Sequence, residues 1–343
     1  MTGANPGSGP KVVVMIGSGG VGKTTTAAAL AVGLAEEGLR TVVLTIDPAK
    51  RLAQALGLDS LGGTPQPVPG QDNLSAFMLD QDVRFSALLI ESGAPELADH
   101  RVTATVARSF GGLQEYLAMD LLSRLYDSGE WDAIVVDTPP ALSALDFLDS
   151  AERVRRLVRH PLMRLLTSSS SLVGSGVALL GKIVGSETLQ HVAGWARGIR
   201  PVADTMLERS SAMRATLGET GDFLVVTAAT AEALREARSF TDSLAGLDIP
   251  VRGVVINRTH AVPGPLGDVE LNWDASGDAD LPAALRRVHE ARVELAAAED
   301  RQIARFIRRA PGAKVTRVPS SRGGVTSLDD LRELAAQIAP ALD

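Results

Sequence analysis

The chain has 343 residues, and 34 Lys+Arg against 41 Asp+Glu give a formal net charge of −7. Hydrophobic residues at 45% and charged residues at 22% are ordinary for a globular protein and exclude disorder as the dominant state. The absence of cysteine excludes disulfides, iron–sulfur clusters, thiolate zinc sites and thiol nucleophiles.

Met1 to Pro10 is rich in Gly, Pro and Ser and has neither the basic start nor the apolar run of a signal peptide. It is expected to be a disordered N-terminus, and the protein to be cytoplasmic. Short β-branched runs then alternate with helical stretches. Val12–Ile16 is followed by an Ala/Leu-rich helical pattern at Lys23–Glu37. Thr41–Ile46 ends at Asp47-Pro48, and further runs lie at Leu74–Met78, Ala133–Val136, Phe223–Thr227, Val251–Ile256 and Lys314–Val318. Runs apolar on both faces belong to strands covered on both sides. The predicted fold is therefore α/β, a doubly wound and mostly parallel sheet.

Residues 11–149 form the first part of this core and include a helical segment at 82–128, clearest at Gln114–Leu125. Ser150–Glu219 has no convincing strand and reads as a helical insertion. Residues 220–343 resume the core, with a long Gly/Pro/Asp-rich loop at 261–280 and a closing helix at Leu328–Leu342. The apolar stretch Leu172–Val184 falls short of the roughly 20 residues that cross a bilayer, so no stable membrane anchor is expected.

Gly17-Ser18-Gly19-Gly20-Val21-Gly22-Lys23-Thr24 fits G-x-x-x-x-G-K-[ST], and Thr25 continues it into the helix. Glycines let backbone N–H groups wrap phosphates, Lys23 supplies a point charge to the terminal phosphates, and the Thr24 hydroxyl is a Mg²⁺ ligand. A strand before and a helix after supply the required context, so this is a P-loop. Asp137, at the end of the Ala133–Val136 run, is placed to hold the Mg²⁺ hydration shell as a Walker B carboxylate does. Asp47 is a third element at a strand end, and ligands collect at the carboxyl ends of such strands. The five histidines (His100, His160, His191, His260 and His289) show no metal-ligand spacing.

Together, Gly17–Thr26, Asp47-Pro48-Ala49, Asp137-Thr138-Pro139-Pro140 and Val255-Ile256-Asn257-Arg258 resemble the ArsA/Get family of P-loop ATPases, with a deviant Walker A of the SIMIBI type. The stretches from Asp47 and from Pro139 look like an actinobacterial branch in which two paralogues form a heterodimer. The resemblance implies ATP as substrate with Mg²⁺ as cofactor. It implies that Asp47 and Pro48 form a switch whose aspartate positions the attacking water. It also implies that Asp137, Thr138 and Pro139 begin a second switch sensing the terminal phosphate. Asn257, with Arg258, matches an adenine contact, and Pro319 lies where a loop covers the base.

Two departures from the family pattern matter. Ser18 stands where the family carries a lysine that crosses a dimer interface to the partner's nucleotide. The missing cysteines remove arsenite chemistry and the zinc clasp of eukaryotic relatives. Ser18 points to a paralogous partner subunit that carries the lysine; the other arrangement is a homodimer lacking it at both sites. Two readings stay open: a hydrolysing switch, or a regulatory subunit with little hydrolysis of its own. The Leu162–Val184 tract is either a groove for a hydrophobic client protein or a helical cap. Arg153, Arg155, Arg156, Arg159 and Arg164, and Arg305, Arg308 and Arg309, are basic clusters. With 3% aromatics and a net charge of −7, no nucleic-acid binding is expected.

Overall fold

The β-branched runs assemble into one sheet because each is apolar on both faces and can be buried only between two helical layers. The computed structural model describes residues 9–98, 103, 112–139, 148, 152, 155–156, 186–264, 281–309, 313–321 and 323–342. Eight strands are formed: β1 (Lys11–Ile16), β2 (Thr41–Thr45), β3 (Gln66–Pro67), β4 (Leu74–Met78), β5 (Ala133–Asp137), β6 (Gly221–Ala228), β7 (Val251–Thr259) and β8 (Lys314–Pro319). Their order is β3-β4-β2-β5-β1-β6-β7-β8. All neighbours are parallel except β3 and β4. The two-residue β3 is an edge strand that its short, Pro-containing sequence does not announce.

The helices are α1 (Lys23–Glu36), α2 (Arg51–Ala55), α3 (Gln81–Glu91), α4 (Leu113–Asp127), α5 (Ser186–Thr220), α6 (Ala231–Ala245), α7 (Leu281–Arg309) and α8 (Leu328–Ile338). One sheet face, with Val13, Met15, Val43 and Leu224, packs on α1 and α8 through Ala27, Leu30, Leu331 and Leu334. The opposite face, with Val12, Val14, Leu44 and Ile134, packs on α3, α4 and α5 through Leu88, Tyr116, Leu117, Val202 and Met206. Further along that face, Val225, Val254 and Ile256 meet Leu234 and Ala237 of α6 and Ile303 and Phe306 of α7.

β1 lies at the centre, between β5 and β6; the chain builds outward from it through β2 on one side and crosses from β5 to β6 on the other. This is the topological switch point, where open parallel sheets place a ligand crevice. The segment expected to be a helical insertion, 150–219, lies between β5 and β6. Of it, α5 and residues 152, 155 and 156 are described, and the Leu162–Val184 tract lies outside the described residues. Pro140, most of the 261–280 loop and Met1–Ser8 lie outside them too. Among the described residues, no helix is long and apolar enough to cross a membrane.

Candidate nucleotide site

The P-loop runs from the end of β1 to the start of α1. α3, α6 and α8 are capped by the side chains of Asp80, Thr230 and Ser327. α1 instead begins at Gly22 with no side-chain cap and no acidic residue in its first turn. Its first N–H groups and the positive end of its dipole are therefore left for an anionic ligand. Gly22 has φ +95°, and a Cβ there would lie 2.3 Å from Asn257 Nδ2. At Gly17 a Cβ would lie 2.1 Å from the Val226 carbonyl oxygen of β6. Both positions admit only glycine, one for conformation and contact, the other for contact alone.

Two adjoining cavities open over this loop. The first, of about 580 Å³, is lined by Gly20, Gly22, Lys23, Thr24, Thr25, Asp47, Thr138 and Arg258 among others. The second, of about 310 Å³, shares Gly22, Thr25 and Arg258 and adds Asn257 and Pro319. The arrangement suits phosphates in the first and a base in the second. Gly17, Ser18, Gly19, Val21, Pro48, Asp137 and Pro139 line neither cavity. Val21 and Asp137 are buried, and Ser18 is half-buried with its carbonyl turned to Lys23.

Lys23 Nζ donates to that Ser18 carbonyl at 2.8 Å. Burial lowers its pKa, against the raising influence of Asp137 and Asp47. Asp137 ends β5 and is fully buried. Burial pushes its carboxyl from 3.8 up to about 6, opposed by the Thr24 and Thr45 hydroxyls and by Lys23. Its Oδ2 accepts from Thr45 Oγ1 at 3.0 Å, and its Oδ1 has no hydrogen-bond partner. An unpaired buried carboxylate oxygen is costly unless a ligand completes it. Beside the Thr24 hydroxyl and the phosphate cavity, that oxygen fits a cation held through water. One hydroxyl and one water-mediated carboxylate are what Mg²⁺ takes when phosphates supply the rest.

Asp47 follows β2 and is held by three hydrogen bonds. Its N–H donates to Thr45 Oγ1 at 3.2 Å, its Oδ1 accepts from Ala49 N at 3.0 Å, and its Oδ2 accepts from Arg51 Nη1 at 2.9 Å. Thr138 Oγ1 donates to the Met15 carbonyl at 2.6 Å, pinning the segment after β5 to β1. Asn257 Nδ2 donates to the Val21 carbonyl at 2.9 Å, and its Oδ1 accepts from Arg258 N at 2.9 Å. Arg258 has φ +56°, at a break in the β7–β8 register, and its guanidinium donates to the Gly20 carbonyl at 3.1 Å. The pair thus latches β7 onto the outer side of the P-loop.

The sequence model of a family described as anion-transporting ATPase matches residues 10–265. The chain belongs to the anion-transporting ATPase family. The family match covers the P-loop, Asp47, Asp137 and the Asn257–Arg258 latch. Among curated proteins, the chain is 30% identical over 174 residues to ATPase ASNA1 homolog 2 of Paramecium tetraurelia, covering 48% of this chain and 53% of that protein. It is 25% identical over 276 residues to ATPase GET3C of Arabidopsis thaliana, covering 72% and 66%. It is 28% identical over 177 residues to ATPase get3 of Schizosaccharomyces pombe, covering 51% and 52%. The chain thus spans about half to two thirds of the length of these relatives.

Sequence reasoning did not single out Thr45, Arg51, Gln54 or Thr326, which bind Asp47 or line the first cavity. The spacing of Asp47 and Arg51, four apart across a helix start, is the one signal that was available for them.

Proposed function

We propose that this chain binds and hydrolyses ATP with Mg²⁺, as a dimeric switch working with a paralogous partner subunit. The observation that carries the reading is the placement of Asp47 and Asp137, tied to one hydroxyl, at the strand ends beside a P-loop. The family match and the relatives, all named ATPases, support the activity.

In this reading the loop amides and Lys23 bind the phosphates, and Lys23 gives up its bond to the Ser18 carbonyl to do so. Thr24, and Asp137 through water, would hold Mg²⁺, which when bound neutralises charge on the phosphate oxygens. Asp47, fixed by Arg51 and the Ala49 N–H, orients a water in line with the terminal phosphorus. The water oxygen bonds to phosphorus as the bridging P–O bond breaks, giving ADP and inorganic phosphate, with the water's proton leaving on the phosphate. Arg258 and Asn257 shape the base cavity and brace the loop. Loss of the terminal phosphate releases Asp47 and Thr138, and Thr138 is pinned where the chain enters the helical insertion.

A dimer is supported by α7. Glu299 meets His260 just past the end of β7. The preceding 18 residues therefore run on beyond the strand ends, on the edge that carries the nucleotide site. There Leu285, Val288 and Leu295 are 44%, 58% and 43% exposed. A single-sided apolar stripe on a projecting helix is suited to a partner subunit.

Ser18 favours a second reading, a regulatory subunit with little turnover. A cation supplied in trans is worth roughly 10³–10⁵ in phosphoryl-transfer rate, and serine provides none. Single-turnover hydrolysis by the pure chain, beside Asp47→Asn and Ser18→Lys, tests both. Turnover lost in Asp47→Asn establishes the switch. Tight binding without turnover, rescued by Ser18→Lys, establishes the regulatory subunit instead.

A further inference from the structure

α6 and α7 pack side by side over β6 and β7 and leave a groove of about 210 Å³ between them, away from the nucleotide cavities. Each helix presents one large apolar residue and two arginines to it. α6 contributes Leu234 with Arg235 and Arg238, and α7 contributes Phe306 with Arg305 and Arg309. Leu234 and Phe306 are 5% exposed and form the floor. The guanidinium groups form two basic rims, and no carboxylate lines the groove.

The arginines are poorly neutralised. Arg238 pairs with Asp242 at 3.3 Å, at the outer edge of α6. Among the described residues, Arg235 donates only to the Ala231 carbonyl of its own helix. Arg305 and Arg309 form no ion pair among the described residues. Four guanidiniums around one apolar floor, on a chain of net charge −7, are a local reversal of sign.

We propose that this groove docks an acidic amphipathic helix from a partner protein. Such a helix lays one apolar side chain over Leu234 and Phe306. Carboxylates three and four residues to either side of that anchor then reach the two arginine rims. Nucleic acid fits less well, because the floor is apolar and Phe306 is too deeply buried to offer a ring face for base stacking.

The test uses the full chain and fluorescence anisotropy with labelled 12-residue helical peptides. Each carries one Leu, Phe or Met anchor flanked by glutamates at the third and fourth positions on both sides. The expected result is saturable one-to-one binding that weakens at high salt. The Arg235→Glu/Arg305→Glu double variant should lose at least about tenfold in affinity, the size expected when rim charges turn repulsive. An Arg301→Glu/Arg308→Glu variant, with the same charge change on exposed positions outside the groove, should bind the peptides normally. ATP affinity should be the same in all three proteins.

The proposal is overturned if none of the peptides saturates. It is equally overturned if a twelve-residue oligoglutamate without an anchor binds as well, or if a 12-nucleotide single strand binds more tightly. Equal loss in both double variants would reduce the effect to net charge. A change in the chain's own oligomeric state in Arg235→Glu/Arg305→Glu, without peptide binding by the native chain, would assign the groove to a second copy.

Discussion

Thr45 and Asp137 are 92 residues apart in sequence and share a hydrogen bond of 3.0 Å in the core of the sheet. They are direct register partners of the parallel strands β2 and β5. The same Thr45 hydroxyl oxygen accepts the Asp47 N–H at 3.2 Å. One side chain therefore ties the Asp137 carboxylate, proposed to hold the cation, to the backbone of Asp47, proposed to orient the water. A displacement at either strand end is felt at the other without any intervening loop.

Thr45→Val tests this coupling. The change keeps shape and removes the hydroxyl, leaving Asp137 Oδ2 without that donor and the Asp47 N–H without its acceptor. The expected cost in stability is about 1–3 kcal/mol, from buried polar groups left unpaired. Single-turnover hydrolysis should fall by about tenfold, because Asp47, proposed to position the water, loses the backbone bond that fixes it to β2. ATP affinity, which rests on the loop amides and Lys23, should move by less than about threefold. Equal losses in affinity and turnover would refute the coupling.

Asp137 gives the protein a pH dependence of defined sign. Its folded-state pKa is raised from 3.8 to about 6, so the folded chain holds this proton more tightly than the unfolded chain. The contribution is fully present below pH 4 and is lost as pH rises toward 6. Above that, the nucleotide-free protein carries a penalty of up to about 3 kcal/mol. Asp137→Asn should therefore raise the denaturation midpoint of the nucleotide-free protein at pH 7.5, with little effect at pH 4, while turnover is abolished. Calorimetry in buffers of different ionisation enthalpy should also show proton release when Mg²⁺ and nucleotide bind near pH 5.5.

Gly22 is constrained twice, by its left-handed backbone and by the Asn257 amide against it. Gly22→Ala should abolish measurable ATP binding. Adding Asn257→Ala removes the group in the way, but not the unfavourable φ. The double variant should recover part of the affinity, read by equilibrium binding of a labelled nucleotide. Recovery to the native value would mean that the backbone conformation plays no part.

Asp120 of α4 is fully buried beneath three arginines. It accepts from Arg84 at 2.7 Å and Arg209 at 3.0 Å, with Arg124 at 3.4 Å. Glu91 of α3 completes the cluster, which joins α3, α4 and α5. Removing the buried carboxylate leaves the three arginines with Glu91 as their one shared carboxylate. Asp120→Ala should cost about 3–5 kcal/mol in urea denaturation. The fraction that folds should bind ATP normally, since no member of the cluster lines the nucleotide cavities.

The strands were legible because a buried parallel strand needs a continuous apolar run, and seven of the eight stand out on that ground. β3 did not, since two residues carry no periodicity. The P-loop was legible because its chemistry is written in consecutive residues. Asp47 and Asp137 were legible as strand-end carboxylates, and Asn257 as a strand-end asparagine of the family pattern whose adenine contact is a proposal. Its observed bond to the Val21 carbonyl, across 236 residues, was not. Nor was the groove of α6 and α7, whose rims come from Arg235 and Arg238 on one helix and Arg305 and Arg309 on another.

The sequence by itself determined the fold class, the phosphate loop and the set of strand-end acids, because local periodicity and contiguous motifs encode them. Tertiary structure decided which hydroxyl joins the two aspartates, which carboxylate oxygen is left without a partner, and where four arginines meet. Those depend on strand register and helix packing, which place residues far apart in the chain within hydrogen-bond distance or along one shared groove.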